Sequence, residues 1–426
     1  MRVLVSVAVW GRKYAATFCD YSLASQLAPG NLPRLAVGNE VGYHIITRRK
    51  DAKWLQQQPN VRELERHCHI IWEFIEDHGY DPLLIPAGLD YDKYPFLSQL
   101  QNIAIARSLD YDALILNYAD FVWADGSVYH SIKLMQDGVD AVLSFGLPVD
   151  RNGGRKALDR YCSRRSGSDP LILPPRSAAA IAIDHLHREA KLRFWEGPDF
   201  TSMPTYLIWP VEPDGVLIRA YHQTVLVLRV KADDPMYRAG IQRGTLDGNF
   251  TAILADSGHT KHATNSDDVM VFSLYDAVAD SRLKTGEKRE DHLRRCLQTS
   301  VSAGQRRFAQ APFLVKRSFT DTAKWEQIAG TSWQTLAAFH ESTPVDSKAS
   351  GNVKVDDLPS DRWRALPRSG LGRALLKAAA ALCRRIVVRL VLGRTGELIR
   401  RLLGRERARA WRTRLDRWIF RERSRN

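Results

Sequence analysis

The stretch Asp112-Ala-Leu-Ile-Leu-Asn-Tyr-Ala-Asp120-Phe-Val-Trp-Ala-Asp125-Gly126-Ser127 joins an apolar run to a series of polar residues. Its first part, Ala113–Leu116, is short and wholly apolar, as expected of a strand that is covered on both faces. Asn117 and Asp120 follow where this strand should end. Because ligands of parallel sheets bind beyond the carboxyl ends of the strands, these polar residues mark a candidate ligand site.

Strand and helix patterns alternate on both sides of this stretch. Val3–Val9, Tyr43–Thr47 and Ala141–Ser144 are short apolar runs typical of buried strands, and Tyr14–Gln26 and Leu97–Leu109 have helical patterns. Strands that alternate with helices predict an α/β fold, with a mostly parallel, Rossmann-like sheet and helices on both faces.

The middle of the chain, up to about residue 275, has a more irregular pattern. We expect a helix over Ser177–Lys191 and strand structure over Thr205–Pro210, Val216–Val230 and Val269–Leu274. His69–Ile75 fits either a third strand or the end of a helix, because so short an apolar run does not distinguish the two periods.

Composition and cysteine usage bound the class of protein. The chain has 426 residues, of which 44% are hydrophobic and 26% charged, and this excludes a mostly disordered or fibrous protein. Its five cysteines are widely spaced and form no Cys-x-x-Cys pair, which argues against a disulfide scaffold and favours a reducing compartment. The first ten residues do not resemble a cleavable export signal, so we expect a cytoplasmic protein.

The net charge of +14 is concentrated at the end of the chain. Residues 360–426 contain 20 Lys and Arg against 5 Asp and Glu, a net of +15, which leaves −1 for all preceding residues. We therefore divide the chain into a body with halves 1–150 and 151–344, a Ser-, Gly- and Pro-rich linker over 345–372, and a basic helical tail over 373–426.

The tail has the pattern of a basic amphipathic helix. Two apolar stripes lie among its arginines, the first of which starts in the last residues of the linker. They consist of Leu371, Leu375, Ala378 and Leu382, then Trp411, Leu415 and Trp418. Such helices bind the interface of anionic membranes, where each basic residue contributes about 1 kcal/mol. We expect peripheral binding at the inner face of the cell membrane. Packing on another protein surface and binding to nucleic acid are the alternatives, and the neutral body argues against nucleic acid.

Six short motifs follow one another in the first two thirds of the chain: Val7-Ala-Val-Trp-Gly11, Pro29-Gly-Asn-Leu-Pro33, Ala113–Gly126, Asp214–His222, Gly244–Phe250 and Ser266–Val269. Their order resembles that of bacterial GT-A type glycosyltransferases, which use nucleotide sugars. The resemblance covers roughly Met1–Tyr275. It implies a GT-A-like fold, with a nucleotide-sugar-binding half over 1–150 and an acceptor-side half over 151–344. It also implies transfer of a sugar to a polysaccharide or glycolipid acceptor.

The resemblance further implies a divalent cation. The family holds Mg²⁺ or Mn²⁺ with an Asp-x-Asp motif, whereas this chain has Asn117-Tyr-Ala-Asp120. Asp120 matches the later position, and the amide oxygen of Asn117 can serve as a second ligand of a hard cation. The alternatives are a metal-independent site, with Arg or Lys on the diphosphate, and a structural role of Asp120 in the turn.

Five further residues complete the predicted site. The Trp10 ring can stack on a nucleobase, Gly11 permits close approach of the backbone, and Asp125 belongs with them on the donor side. On the acceptor side, His222 can act as a general base or a metal ligand, and Asp247 can deprotonate the attacking hydroxyl. A structural role in the core or in a turn is the alternative for each.

Two other functions stay open at this point. A sugar nucleotidyltransferase also uses a parallel sheet and Mg²⁺, but it should have a Gly-rich phosphate loop after the first strand. Arg12-Lys13 has the charge of such a loop without its glycines. A non-enzymatic membrane or nucleic-acid adaptor, acting through the basic tail, is the third interpretation.

Overall fold

Three β-sheets and the helices around them make up the part of the chain that the structure describes. It is a computed structural model, which describes residues 1–78, 90–136, 138–162, 169–231, 249–276, 288–318 and 322–344. The predicted linker 345–372, the predicted tail 373–426 and Asp247 lie outside the described residues.

The described strands are short and mostly buried. In chain order they are β1 (Arg2–Ala8), β2 (Glu40–Thr47), β3 (His69–Phe74), β4 (Ala113–Tyr118), β5 (Phe121–Trp123), β6 (Ala141–Ser144), β7 (Leu147–Asp150), β8 (Tyr206–Val211), β9 (Gly215–Ala220), β10 (Thr224–Leu228), β11 (Thr260–His262), β12 (Val271–Tyr275) and β13 (Phe313–Lys316).

The described helices fill the connections. They are α1 (Arg12–Thr17), which continues through a π-helical turn (Phe18–Leu23) into α2 (Ala24–Gln26), then α3 (Leu32–Ala36), α4 (Arg49–Leu55), α5 (Pro59–Leu64), α6 (Asp90–Arg107), α7 (Ser127–Met135), α8 (Arg151–Tyr161), α9 (Pro175–Asp184), α10 (Arg188–Lys191), α11 (Asn249–Ser257), α12 (Arg289–Thr299), α13 (Ala303–Phe308) and α14 (Thr322–Ser342). No helix among the described residues is both long and apolar enough to cross a membrane.

The central sheet is mixed but mostly parallel. Its seven strands have the order β11-β6-β10-β4-β1-β2-β3. The pairs β1–β2, β1–β4, β2–β3 and β6–β11 are parallel, and β10 runs antiparallel to β4 and β6. The predicted α/β fold is thus confirmed. Because β10 and β11 come from the second half of the body, both halves contribute to this sheet.

The two faces of the central sheet carry separate apolar cores. Val3, Val5 and Val7 of β1 pack with α1 and the π-helical turn on one face. Leu4 points to the other face and packs with Leu100 of α6. The alternation of side chains along a strand explains this division, and it defines an α1 face and an α6 face.

Two smaller sheets complete the described body. One has the order β5-β12-β7 and the other β13-β9-β8. The strand predicted over Val216–Val230 is divided between two sheets, since β9 ends at Ala220 and β10 begins at Thr224. The carbonyl of Thr205 accepts hydrogen bonds from the N–H groups of Tyr221 and His222, and these contacts stabilise the break.

Two other sequence predictions are resolved by the same structure. His69–Phe74 is a strand, β3, at the edge of the central sheet. The helix predicted over Ser177–Lys191 is interrupted between α9 and α10, where Leu186 bridges to Val149 of β7. His187 lies in this interruption, and its ring accepts a hydrogen bond from the N–H of Glu189 as the N-cap of α10.

Candidate functional site

Strand register brings Arg151 and Asp276 together. Strands β7 and β12 run parallel, and their register pairs Asp150 with Tyr275. The next residues of the two strands, Arg151 and Asp276, therefore leave the sheet side by side. Both lie at carboxyl ends of parallel strands, which is where ligands of such sheets bind.

Asp120 lies near Arg151 and Asp276 because it precedes β5, which pairs antiparallel with β12. Strand β5 begins at Phe121, which is paired with Ser273. Asp120 precedes this strand, and its carbonyl accepts a hydrogen bond from the N–H of Leu274 at 3.0 Å. The turn between β4 and β5 thus carries Asp120 to the same end of the small sheet as Arg151.

Arg151 is buried among polar and charged partners. Its side chain is 5% exposed, its Nε lies 2.8 Å from Oδ1 of Asp276, and its Nη2 lies 3.9 Å from Oδ2 of Asp120. Nη1 donates a hydrogen bond to Oγ1 of Thr17 at 2.9 Å, and the guanidinium carbon lies 5.1 Å from the centre of the Tyr14 ring. A buried guanidinium needs such partners, because removing it from water is otherwise costly.

Helix α1 supplies a second cation. Nζ of Lys13 lies 2.7 Å from Oδ1 of Asp276, and the Tyr14 hydroxyl lies 3.5 Å from Oδ2 of the same carboxylate. Thr17 donates a hydrogen bond to the carbonyl of Lys13, one turn earlier in the helix. We call the following five residues the strand-end cluster: Lys13, Tyr14, Asp120, Arg151 and Asp276.

His187 holds the backbone of Asp276. Its ring is buried, Nδ1 accepts from the N–H of Glu189 at 3.2 Å, and Nε2 lies 3.0 Å from the carbonyl oxygen of Asp276. Since a carbonyl only accepts, Nε2 must carry the hydrogen. His187 therefore acts as a positioning residue for the strand-end cluster.

Asn117 lies apart from this cluster, in the core. Its Oδ1 accepts a hydrogen bond from the indole N–H of Trp123 at 3.0 Å, and its Nδ2 lies 3.5 Å from Oγ of Ser22. The residue is 5% exposed. Its amide therefore satisfies buried polar groups.

The predicted metal ligands do not fit a paired cation site. Oδ1 of Asn117 already accepts from Trp123, and Asp120 lies beside the positive guanidinium of Arg151, which would repel a cation there. Among the described residues, no group of three or more His, Cys, Asp and Glu side chains is placed to hold a metal ion.

Trp10 and Gly11 lie at the end of β1. The Trp10 ring packs edge-on against Phe96 of α6, with 5.2 Å between ring centres, so it belongs to the α6 face. Gly11 has a φ of +82°, a conformation that favours glycine, and its N–H donates to Asp51 at 2.9 Å. A nucleotide-binding role for both residues stays a prediction.

Asp125 connects two loops. Its Oδ1 accepts a hydrogen bond from the N–H of Gly30 at 2.7 Å. Asn31, next in that loop, donates to the carbonyl of Ala124 at 3.0 Å. Asp125 thus anchors the loop that contains Pro29–Pro33. Its predicted contact with the nucleotide-sugar donor stays a prediction.

The acceptor-side residues are only partly placed. His222 lies in the β9–β10 connection, and its Nε2 is 3.1 Å from the carbonyl of Ser300. The antiparallel register of β10 and β4 carries this connection to the end of the sheet where β4 stops. Asp247 lies outside the described residues, so the roles of both stay predictions.

Two described cavities lie at the opposite end of the central sheet. One, of about 540 Å³, is lined by Glu65–Ile70 and Trp72 at the start of β3. The other, of about 410 Å³, is lined by Met1, Asp112 and neighbouring side chains at the start of β1 and β4. Neither is lined by a residue of the strand-end cluster.

Sequence reasoning did not identify Arg151, Asp276 and His187 as site residues. For Asp276 a signal was present, because a charged residue directly follows the apolar pattern Val269–Leu274, as Asp120 follows its own strand. The position of Arg151 depends on the pairing of β7 with β12, which no local pattern shows.

Comparisons with known proteins assign no family. No protein-family model matches the sequence, and no curated protein matches it either.

Some solved structures overlap parts of the fold at low similarity. Mouse xyloside xylosyltransferase 1 is 14% identical, with 39% of this chain and 61% of that chain covered and a TM-score of 0.25. The galactosyltransferase LgtC, in complex with donor and acceptor sugar analogs, is 13% identical over 64% of this chain and 87% of that chain, with a TM-score of 0.29. The match spans only 22% of S. aureus TarS. At these TM-scores the overlaps carry no functional assignment.

Proposed function

We propose that this chain is a glycosyltransferase that uses a nucleotide-sugar donor, and that the strand-end cluster receives the diphosphate of the donor. The observation that supports the proposal most is the buried guanidinium of Arg151, held between the partly exposed carboxylates of Asp120 and Asp276. The cluster lies at carboxyl ends of strands in an α/β fold. The motif order that resembles GT-A enzymes in the sequence points to the same class.

The chemistry of sugar transfer suits such a cluster. The bond between the anomeric carbon and the diphosphate oxygen breaks, and the acceptor hydroxyl forms the new bond while it loses its proton. Negative charge develops on the departing nucleoside diphosphate. A guanidinium binds phosphate oxygens through a planar fork of donors, and a fixed cation stabilises this charge without reorganisation.

The remaining predicted residues complete the proposal. We place Trp10, Gly11 and Asp125 on the nucleotide side, and His222 and Asp247 near a polysaccharide or lipid-linked glycan acceptor. Proton removal from the acceptor hydroxyl needs a base within hydrogen-bond reach. The variants His222→Gln and Asp247→Asn test this, because loss of the base should lower kcat with the donor KM largely unchanged.

A ligand panel tests the function as a whole. The unfolding temperature of the full chain is measured with nucleoside diphosphates and with nucleotide sugars, each in EDTA or in Mn²⁺. Release of nucleoside diphosphate is measured on separate, unheated samples. One donor class should raise the unfolding temperature, because a ligand of the folded state stabilises it by mass action. The same donor should release its nucleoside diphosphate when an acceptor is present.

Two outcomes would contradict the proposal. If no nucleotide sugar raised the unfolding temperature or released its nucleoside diphosphate, the chain would not use such a donor. Formation of pyrophosphate from a nucleoside triphosphate and a sugar 1-phosphate would instead establish a nucleotidyltransferase.

We also propose that the basic tail, residues 373–426, binds the inner face of the cell membrane. The charge of residues 360–426 and the two apolar stripes support this. Co-sedimentation of the full chain with vesicles measures it. Binding should require phosphatidylglycerol in addition to phosphatidylcholine, and it should weaken as salt is raised. Equal binding to both vesicle types would contradict the electrostatic mechanism.

A further inference from the structure

We infer that Asp276 is a resident anion, which occupies the phosphate site of Arg151 and Lys13 until the diphosphate of a ligand displaces it. The inference rests on the proposed function for the identity of that ligand, and on the described contacts for the exchange itself. The ligand class is a pyrophosphate group, free or within a nucleotide sugar.

The two cations converge on a single atom. Nε of Arg151 lies 2.8 Å and Nζ of Lys13 lies 2.7 Å from Oδ1 of Asp276. Arg151 projects from the start of α8 and Lys13 from α1, so the two charges come from separate elements. Two cations on one carboxylate oxygen form a site whose shape and charge also suit a phosphate oxygen.

The contact between Arg151 and Asp276 is an ion pair without hydrogen-bond geometry. The Nε atom of Arg151 is buried and finds no acceptor in line with its N–H, although Oδ1 of Asp276 is close. A planar guanidinium is best satisfied by two oxygens in its own plane. The carboxylate therefore satisfies only part of the donor capacity of Arg151, and a diphosphate can satisfy more.

The anion is more exposed than the buried cation, as exchange with a ligand from solvent requires. The Arg151 side chain is 5% exposed, whereas those of Asp276 and Lys13 are 42% and 60% exposed. Arg151 is held by Thr17, whereas the Asp276 carboxylate borders solvent, into which it turns during exchange. Displacement thus moves one short side chain and leaves the core intact.

Charge in the cluster also favours exchange. In the described contacts, Lys13 and Arg151 both face Asp276, and Arg151 also faces Asp120. When the Asp276 carboxylate turns away, one negative charge leaves the neighbourhood of both cations, and the incoming diphosphate replaces it. Lys13 and Arg151 then stabilise the charge of the diphosphate, a role that the sequence predicted for a divalent cation.

The carboxylate has a different effect on affinity if its role is to position the two cations. A carboxylate that held Arg151 and Lys13 in place for the ligand would strengthen pyrophosphate binding, and its loss would weaken that binding. A resident anion competes with the ligand, so its loss strengthens binding. The two interpretations therefore predict opposite signs for the variant Asp276→Asn, which keeps size and hydrogen bonding while it removes the charge.

Calorimetric titration of the full chain with inorganic pyrophosphate, in EDTA and at constant ionic strength, tests this. We expect Asp276→Asn to lower the Kd for pyrophosphate about tenfold. Lys13→Met, at an exposed position, should raise the Kd severalfold in the same titration. Asp184→Asn is the matched control, since Asp184 is 50% exposed and pairs with Arg317 at 2.9 Å. It should change the Kd less than twofold.

If Asp276→Asn lowers the stability of the fold, the shift of the unfolding temperature on adding pyrophosphate serves as a second measure of binding. Pyrophosphate should then raise the unfolding temperature of this variant more than that of the wild type. An unchanged or higher Kd for Asp276→Asn, with no larger thermal shift, overturns the inference. Turnover of nucleotide sugars by the wild type, measured separately, decides the proposed function. Tighter pyrophosphate binding without such turnover would support the exchange and contradict the transferase.

Discussion

Arg151 and Arg219 are both buried, but their partners differ in kind. Arg151 faces two carboxylates, Asp120 and Asp276, whose side chains are 21% and 42% exposed. Arg219, on β9 in the sheet β13-β9-β8, is 2% exposed and is surrounded by neutral acceptors. The comparison separates a cation that an incoming anion can reach from one that is sealed in the fold.

The neutral partners of Arg219 tie three segments together. Its Nε donates to Oγ of Ser332 at 2.8 Å, and its Nη2 donates to the carbonyl of Ala329 at 2.6 Å, both on α14. Its Nη1 donates to the carbonyls of Ala309 and Gln310, at 2.6 and 2.9 Å, just after α13. Arg219 therefore fastens α13 and α14 to the sheet.

The two arginines show why burial alone does not identify a site. Burial lowers the pKa of Arg219 to about 10, so it stays protonated at neutral pH without an anionic partner. Its charge is used in charge-assisted hydrogen bonds, which stabilise structure. In the strand-end cluster, by contrast, both anionic partners reach solvent, and Asp276 is the one that we infer to exchange.

The largest expected effect is on stability, at Arg219. We expect Arg219→Met to reduce the free energy of unfolding by about 3–5 kcal/mol, because buried carbonyls lose their donors. Urea denaturation measures the change. Arg294→Met is the control, since Arg294 is 48% exposed in a surface ion pair with Asp291 and should change stability by less than about 0.5 kcal/mol. Equal effects of the two variants would contradict the structural role of Arg219.

The next effect is on activity, at Arg151. Arg151→Lys keeps the charge but loses the planar fork, and we expect kcat/KM for the donor to fall about 100-fold, or about 2.7 kcal/mol. The matched variant Arg219→Lys should lower stability while kcat/KM of its folded fraction changes less than about threefold. Donor kinetics of the two variants, at a temperature where both are folded, measure the difference. A larger kinetic loss for Arg219→Lys would reverse the comparison.

The local sequence predicts the position of Asp120 just beyond a strand, because the strand and its polar end are adjacent in the chain. Ala113–Leu116 is uniformly apolar, and Asp120 follows two residues after β4 ends, whereas Asn117 still belongs to the strand and lies in the core. The position of Arg151 beside Asp276 depends instead on β7 pairing with β12, two strands far apart in the chain. Non-local pairing leaves no periodic signal, so the position of Arg151 was hidden from the sequence.

The environment of Arg219 was equally hidden. The sequence Val216–Val230 has a continuous strand pattern, and neither Gly nor Pro marks the break after Ala220. Because of that break, β10 belongs to the central sheet, whereas β9, which carries Arg219, belongs to the sheet β13-β9-β8. The contacts of Thr205 that stabilise it are tertiary, and tertiary contacts override strand propensity.

Acid should lower the free energy of unfolding through His340, which lies close to Arg219 in the fold. His340 of α14 lies 3.1 Å from the Tyr221 hydroxyl, and burial, together with the charge of Arg306, lowers its pKa from 6.5 to about 4. Between these values the unfolded chain binds the extra proton, so stability falls as the pH drops from 6.5 to 4. Because the ring is partly exposed, we expect a loss of about 1–2 kcal/mol.

A pH series of urea denaturation curves checks this loss. His340→Gln keeps a hydrogen-bonding side chain that does not titrate, and it should reduce the slope of the stability curve between pH 6.5 and 4. His262, whose pKa burial also lowers to about 4, should keep its own contribution in the same range. A curve of unchanged slope would show that the acid sensitivity arises elsewhere in the molecule.

The smallest effect is expected at Lys13, the exposed cation of the strand-end cluster. Lys13 lies 2.7 Å from Asp276 but is 60% exposed, so water screens its charge far more than that of Arg151. We expect Lys13→Met to raise the donor KM about fivefold with little change in kcat, because an exposed point charge attracts the donor equally in the ground and transition states. Lys133→Met, at an exposed helix position beside the Tyr129 ring, should leave both constants unchanged. A fall in kcat as large as that of Arg151→Lys would instead show that Lys13 acts on the developing charge, and the contrast between buried and exposed cations within the cluster would no longer hold.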